Sequence, residues 1–184
     1  MVFDLESLQK EYQLGKTYKY VFFWRHIPNK EGIVDASCFS QWWPCEFQVD
    51  GIRYNCAEQY MMAEKARLFE DKEVAKKIID ANHPKQMKEL GRLVKDFKQE
   101  VWEDYCYEIV KRGNIEKFSQ NPELLAYLLN TKNRILVEAS PLDKIWGIGM
   151  DKSNEAITNP MKWEGKNLLG FALTEVREVI LKSI

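Results

Sequence analysis

Residues 55–69 (NCAEQYMMAEKARLF) leave the chain less choice than any other stretch. They contain no glycine or proline and are rich in strong helix formers. Asn55 suits an N-cap, and Glu58 three positions on could reach back to it. At about 100° per residue, Met61, Met62, Leu68 and Phe69 fall within about 60° of one line. That stripe must be buried, so the remainder of the fold has to be built against it. Lys65 lies on the same line, and Glu58 sits about 20° off it, roughly 10 Å away along the axis. Gln59, Ala63, Glu64, Arg67 and Glu70 take the opposite side, where charges are expected.

An acid and an amine at the centre of an apolar face allow two readings. In one, Glu58 caps the helix while Lys65 snorkels from the core edge. In the other, they mark the floor of a pocket, where burial lowers the lysine pKa and makes the amine reactive.

Elsewhere the chain reads as helices around few strands. Phe3, Leu5, Leu8 and Tyr12 pattern a short amphipathic helix ending near Gly15. Residues 19–24 (KYVFFW) have strand composition and run into Arg25 and His26; residues 29–36, with Asn29, Lys30 and Gly32, form a surface loop. A hairpin over 46–54 turns at Asp50-Gly51. Helices follow over 72–81, from His83-Pro84 to Gly91, over 99–112 with Gly113 as its interruption, and over 122–130. The 99–112 pattern places Trp102, Tyr105, Cys106 and Ile109 on one side. Residues 134–138 form another short strand, 141–149 a glycine-hinged loop around Trp146, and Asn167 caps a last helix over 168–182. One small sheet is expected from 19–24, 46–54 and 134–138. The fold class is α+β, mainly α-helical, in a single domain.

Lys and Arg total 27 against 28 Asp and Glu, so no basic surplus points to nucleic acid. Cys38, Cys45, Cys56 and Cys106 lack metal or disulfide spacing, and only His26 and His83 accompany them. The four are expected to be free thiols of a cytoplasmic protein, with no signal peptide and no membrane span. Neither Gly147-Ile148-Gly149 nor Gly165-Lys166 satisfies a nucleotide-binding fingerprint. No nucleophilic triad is spelled out. Chemistry therefore falls to carboxylates, lysine, aromatics and backbone amides. The chain carries 6 Trp beside 9 Phe and 8 Tyr. Such rings pack cores, as two or three of the tryptophans should, and they also stack on bases.

Six segments occur together and in order: Phe23-Trp24; CFSQWWP (38–44); AEQYMMA (57–63) with Lys65; LVEAS (136–140); DKIWGIG (143–149); and GKNLLG (165–170). In this the chain resembles the NADAR family, also called YbiA-like, from about residue 20 to 180. The resemblance implies a YbiA-like domain over 19–184, with residues 1–18 as an N-terminal extension. It implies an N-glycosidase acting on a ribosyl or ADP-ribosyl substrate. Two classes come with it: phosphoribosylamino-pyrimidine intermediates of riboflavin synthesis, and ADP-ribosyl-guanine, notably in DNA. Lys65 matches a lysine proposed to attack the anomeric carbon and form a Schiff base, while Glu58, Trp102 and Glu138 match positions tied to activity. Substrate contacts are expected from Phe23, Trp24, Ser40, Trp42, Trp102, Asp143, Trp146, Gly147, Gly149 and Asn167.

Arg25 departs from the family, many members of which carry a small residue there; it is either a bidentate phosphate clamp or simply a surface variant. No metal or cofactor is expected. The partner is a nucleotide-like small molecule or a modified guanine in DNA, with no membrane and no oligomeric state implied. Two other readings compete: a non-catalytic ADP-ribose or nucleotide-binding module, and a structural helical domain that binds a protein partner. The first needs no buried amine, and the second leaves the tryptophan-rich loops unexplained.

Overall fold

A computed structural model describes residues 2–28, 30 and 32–183; Asn29, part of the expected surface loop, lies outside them. The helices are α1 (Leu5–Gln13), α2 (Ala57–Leu68), α3 (Lys72–Ile79), α4 (Pro84–Gly91), α5 (Gln99–Ser119), α6 (Pro122–Asn130) and α7 (Leu168–Ser183). The strands are β1 (Tyr20–Phe23), β2 (Phe47–Val49), β3 (Ile52–Tyr54) and β4 (Ile135–Glu138). The chain is α+β and mainly helical. Its residues group into two compact units, one of residues 2–40 and 123–183, the other of residues 41–122. The strands form two separate pairs, not the one sheet expected: β1 with β4 and β2 with β3.

In the mixed unit β1 and β4 run parallel, Tyr20 opposite Ile135 and Phe23 opposite Glu138. A parallel pair needs a crossover, and here the partner strand arrives more than a hundred residues later. Ile135, Leu136 and Val137 are all buried, as an apolar run flanked on both faces requires. Ile135 and Val137 share a core with Ile148, Trp163, Phe171, Val2 and Leu8. The first residues of the chain thus supply part of this core, through α1 and its Asp4 cap, which accepts from Ser7 N–H at 2.7 Å.

Among the described residues no strand pairs with the edge of β4 away from β1. Its amides alternate, so Ile135 and Ala139 donate to β1 while Leu136 and Glu138 point the other way. Side chains from the start of α7 complete that edge. Thr174 Oγ1 accepts from Leu136 N–H at 3.1 Å, and Asn167 Oδ1 accepts from Glu138 N–H at 2.9 Å. Asn167 Nδ2 donates to the Leu136 carbonyl at 3.0 Å. The expected helix cap is therefore corrected: the Asn167 carboxamide serves the strand, from a left-handed backbone (φ 55°) that Asn tolerates. Gly170 lets α7 approach this closely, because a Cβ there would strike the Leu136 carbonyl and Asn167.

In the helical unit the hairpin turns at Asp50 and Gly51, both at positive φ as a type I′ turn demands. It delivers Tyr54 edge-on to Tyr60 at 5.2 Å. Helix α2 begins one residue later than expected. Cys56 is its N-cap, and Gln59 rather than Glu58 reaches back, accepting from Asn55 N–H at 2.8 Å. Nor does the side opposite the stripe face water throughout. Gln59 and Ala63 are buried because α3, α4 and α5 all pack around α2. Gln59 is satisfied there by donating to the carbonyls of Ile78, Ile79 and Ala81 at 3.0–3.1 Å.

Helix α5 runs through Gly113 without interruption to Ser119, correcting the expected break. The glycine is there for space: a Cβ would strike the Tyr60 ring. Tyr105, placed by its spacing with the buried face, is 54 % exposed.

Candidate active site

Glu58 stands in the first turn of α2, 6 % exposed. Its amide donates to the Gln41 carbonyl at 2.9 Å, and the Gln41 side chain accepts from Asn114 Nδ2 at 2.9 Å. Two turns on, Lys65 is half-buried. Its Nζ lies 4.0 Å from the centroid of Phe97 and 5.7 Å from that of Trp102. Burial lowers the Lys65 pKa first, the Arg92 guanidinium lowers it further, and Glu58 opposes both. The aromatic faces also favour the ammonium, by about 0.5–1 kcal/mol at a partly exposed site. The amine is thus pulled toward neutrality by its surroundings and toward charge by the two rings.

Trp102, a predicted contact, is buried beside this amine, whereas Trp42 turns edge-on to His83 at 6.4 Å. Sequence reasoning missed Phe97, since a lone aromatic between two helices has no periodicity to announce it. It is held on the chain by Asp71, which accepts from Lys95 N–H and Val74 N–H, both at 3.0 Å.

The mixed unit gathers a second set of predicted residues at the end of β4. Asp143 Oδ1 accepts from the amides of Ile145 (2.9 Å) and Trp146 (2.8 Å), and its carbonyl accepts from Gly149. The Glu138 carbonyl accepts from Ile148 N–H, and the Gly147 carbonyl from Asn167 N–H. Gly147 is required by crowding: a Cβ would lie 2.9 Å from both the Asp143 and Glu138 carbonyl oxygens. Gly149 takes φ 66°, a left-handed conformation glycine adopts freely. Glu138, Asp143, Gly147, Gly149 and Asn167 are thus tied by backbone bonds into one framework, with Trp146 half-buried on it.

On β1, Phe23 is buried edge-on to Phe39 at 5.5 Å, whereas Trp24 is half-buried with the exposed Arg25 guanidinium 4.8 Å above its ring. Ser40 closes the 3-10 turn of residues 36–39, its amide donating to Ser37 at 3.0 Å. Of the six tryptophans, Trp102 and Trp163 are buried and Trp24, Trp42, Trp43 and Trp146 partly open. Among the described residues no group of three or more His, Cys, Asp or Glu gathers as a metal site, and no helix is long and apolar enough to cross a membrane.

A family model described as NADAR domain matches residues 22–181. The chain belongs to the NADAR family. A similar relative is N-glycosidase R617 of Acanthamoeba polyphaga mimivirus, 45 % identical over 168 residues, which cover 89 % of this chain and 97 % of that one. N-glycosidase YbiA of Escherichia coli K12 is 31 % identical, over 78 % of this chain and 79 % of its own. The NMR structure of E. coli YbiA superposes with a TM-score of 0.72 at 25 % identity, covering 91 % of this chain and 88 % of that one. The NADAR fold of this chain is accordingly the single YbiA-like domain.

Proposed function

We propose that this protein is an N-glycosidase that hydrolyses a ribosyl–base bond in a nucleotide-like substrate, with Lys65 as nucleophile. The observation that carries the reading is the Lys65 amine, half-buried against Phe97 and Trp102 on the helix that also carries buried Glu58. The names of the two relatives described above support the reaction class, both being called N-glycosidases. A relative from Vibrio vulnificus, 31 % identical over 76 % of this chain but only 34 % of its own length, is called a riboflavin biosynthesis protein.

In the proposed reaction the neutral amine attacks the anomeric carbon as the bond to the base breaks. Its electron pair leaves with the base, which takes up a proton. After the attached nitrogen loses a proton, its lone pair forms the C=N bond of a Schiff base as the bond from the anomeric carbon to the ring oxygen breaks, and that oxygen keeps the bonding pair and takes up a proton. Water then adds at that carbon and releases the sugar with the amine restored. Positive charge develops at the anomeric carbon, and the Glu58 carboxylate stabilises it. Glu138 is proposed as a second carboxylate required for turnover, and Trp24, Trp102 and Trp146 as base-stacking groups, each worth about 1–3 kcal/mol in binding. Asp143, Gly147, Gly149 and Asn167 act by holding the Glu138–Trp146 framework, and Arg25 by pairing with a phosphate. Ser40, Trp42 and Phe23 act through local packing. The substrate is ADP-ribosyl-guanine, free or in single-stranded DNA, or a phosphoribosylamino-pyrimidine. A near-neutral chain has little to offer duplex DNA.

The second reading, a module that binds ADP-ribose without turnover, draws on the same cation–π contact, since a permanently charged Lys65 would pair with phosphate. Purified protein is assayed for release of free base from both substrate classes, with and without borohydride. Base release, together with a sugar adduct trapped on wild type and absent from Lys65→Arg, supports the nucleophile. Tight binding with no release supports the module. Normal turnover by Lys65→Arg removes Lys65 from the chemistry.

A further inference from the structure

Phe97 is an unusual neighbour for a reactive amine. It lies 36 % exposed in the segment between α4 and α5, its ring tilted on Phe69 at 5.2 Å and centred 4.0 Å from Lys65 Nζ. The backbone leading to Phe97 is held at two points, where the end of α4 meets α2 and where the segment meets the N-cap of α3. Gly91 sits where a Cβ would strike Met62, one turn before Lys65, and Lys95 N–H donates to Asp71 Oδ2 at 3.0 Å. Both points precede Phe97; directly after it Lys98 is the N-cap of α5, its carbonyl accepting from Trp102 N–H at 3.1 Å, so the backbone is held on either side of the ring.

We infer that Phe97 is a positioning residue that holds the Lys65 side chain and favours its ammonium form, so that this segment sets the pH at which the amine becomes available. The inference rests on the proposed role of Lys65. A phenyl face stabilises a cation more than a neutral amine, which offers it only a weak N–H···π contact. The other groups acting on Lys65 are Arg92 at the end of α4, which disfavours its charge, and Glu58 on α2, which favours it. Lys95 on the same segment is committed to Glu73 at 3.2 Å. On the α5 side, Glu103 accepts from Gln99 at 2.6 Å, and on α2 itself Glu64 pairs with Arg67. Phe97 and Trp102 are both neighbours whose removal changes the balance without removing a formal charge, and Phe97, at 4.0 Å against 5.7 Å, is the nearer and has no base-stacking role here.

The test compares Phe97→Leu, which keeps apolar cover and loses the π face, with Phe97→Trp, which strengthens it. Base release is measured against pH, and Lys65 is titrated directly by NMR after reductive methylation with ¹³C-formaldehyde, its resonance identified by absence in Lys65→Arg. On the acid limb Phe97→Leu is expected to turn over about three-fold faster than wild type, and Phe97→Trp more slowly. The Lys65 resonance moves in the same directions. Should both variants titrate like wild type while Lys65→Arg is inactive, the inference falls and the nucleophile stands. Should Lys65→Arg be fully active, the nucleophile falls, and the NMR titration alone decides whether Phe97 governs the charge on Lys65.

Discussion

Replacing Asn167 probes the most exacting local arrangement in the mixed unit. Its carboxamide is fully buried and replaces a missing strand, accepting from Glu138 N–H at 2.9 Å and donating to the Leu136 carbonyl at 3.0 Å. In Asn167→Ala both backbone groups lose their partner in a place water does not reach. Each orphaned buried group costs about 1–3 kcal/mol, and alanine at φ 55° adds about 1 kcal/mol. The expected loss, about 3–7 kcal/mol, is a large share of a typical 5–15 kcal/mol stability. Asn167→Asp separates the two bonds. The introduced carboxylate still accepts from Glu138 but sets a negative oxygen against the Leu136 carbonyl, so burial and repulsion raise its folded pKa above the ordinary value of about 3.9. Below that ordinary value both states are protonated and the charge penalty is absent. It grows as pH rises through the folded pKa and is complete above it. Urea unfolding at pH 4.5 and 7.5, each variant against wild type at the same pH, should therefore show a constant deficit for Asn167→Ala and one that widens toward pH 7.5 for Asn167→Asp. A deficit under about 1 kcal/mol for Asn167→Ala, or a pH-independent one for Asn167→Asp, would refute the edge-completion argument.

Gly113→Ala should gain up to about 1 kcal/mol of helix propensity and still destabilise by about 1–3 kcal/mol overall, because the methyl meets Tyr60; thermal unfolding gives the sign. Gln59→Leu leaves the Asn55 amide and the Ile79 carbonyl without the partner Gln59 gave them, while Ile78 keeps Ala81 N–H at 3.2 Å and Ala81 keeps Asn55 Nδ2 at 3.5 Å; it should cost at least about 2 kcal/mol in the same measurement, with hydrogen exchange accelerating first at Asn55. Lys65→Met should be no less stable than wild type at neutral pH. The folded Lys65 pKa is lowered, so the cost of its charge is present below that value and vanishes as pH rises toward the unfolded pKa of about 10.4; the gap between variant and wild type narrows accordingly. Glu58→Gln should lower the maximal rate of base release far more than it weakens substrate binding, and equal losses in both would mean it serves binding alone.

Local pattern was enough to place the helices, the Asp50-Gly51 hairpin, and Lys65 with Glu58 on one face of α2, because a stretch of helix formers with an apolar stripe has one economical conformation. The six ordered motifs likewise identified the family and its single mainly helical fold. What the pattern could not contain was whatever depends on a neighbour distant in sequence. Gln59 looks solvent-facing on a helical wheel until the end of α3 supplies two carbonyls, and Ala81 just beyond it a third, to bury it against. Gly113 has the composition of a helix break until Tyr60 needs its space. Asn167 is spelled as a cap, but its bonds go to β4, twenty-nine and thirty-one residues away. Phe97 carries no signal until the segment holding it folds over Lys65. Helical periodicity is a property of the chain's own backbone. The state of a buried amide, a glycine or an amine is set by whichever groups the tertiary structure brings within a few ångströms, where solvation and hydrogen bonding are decided.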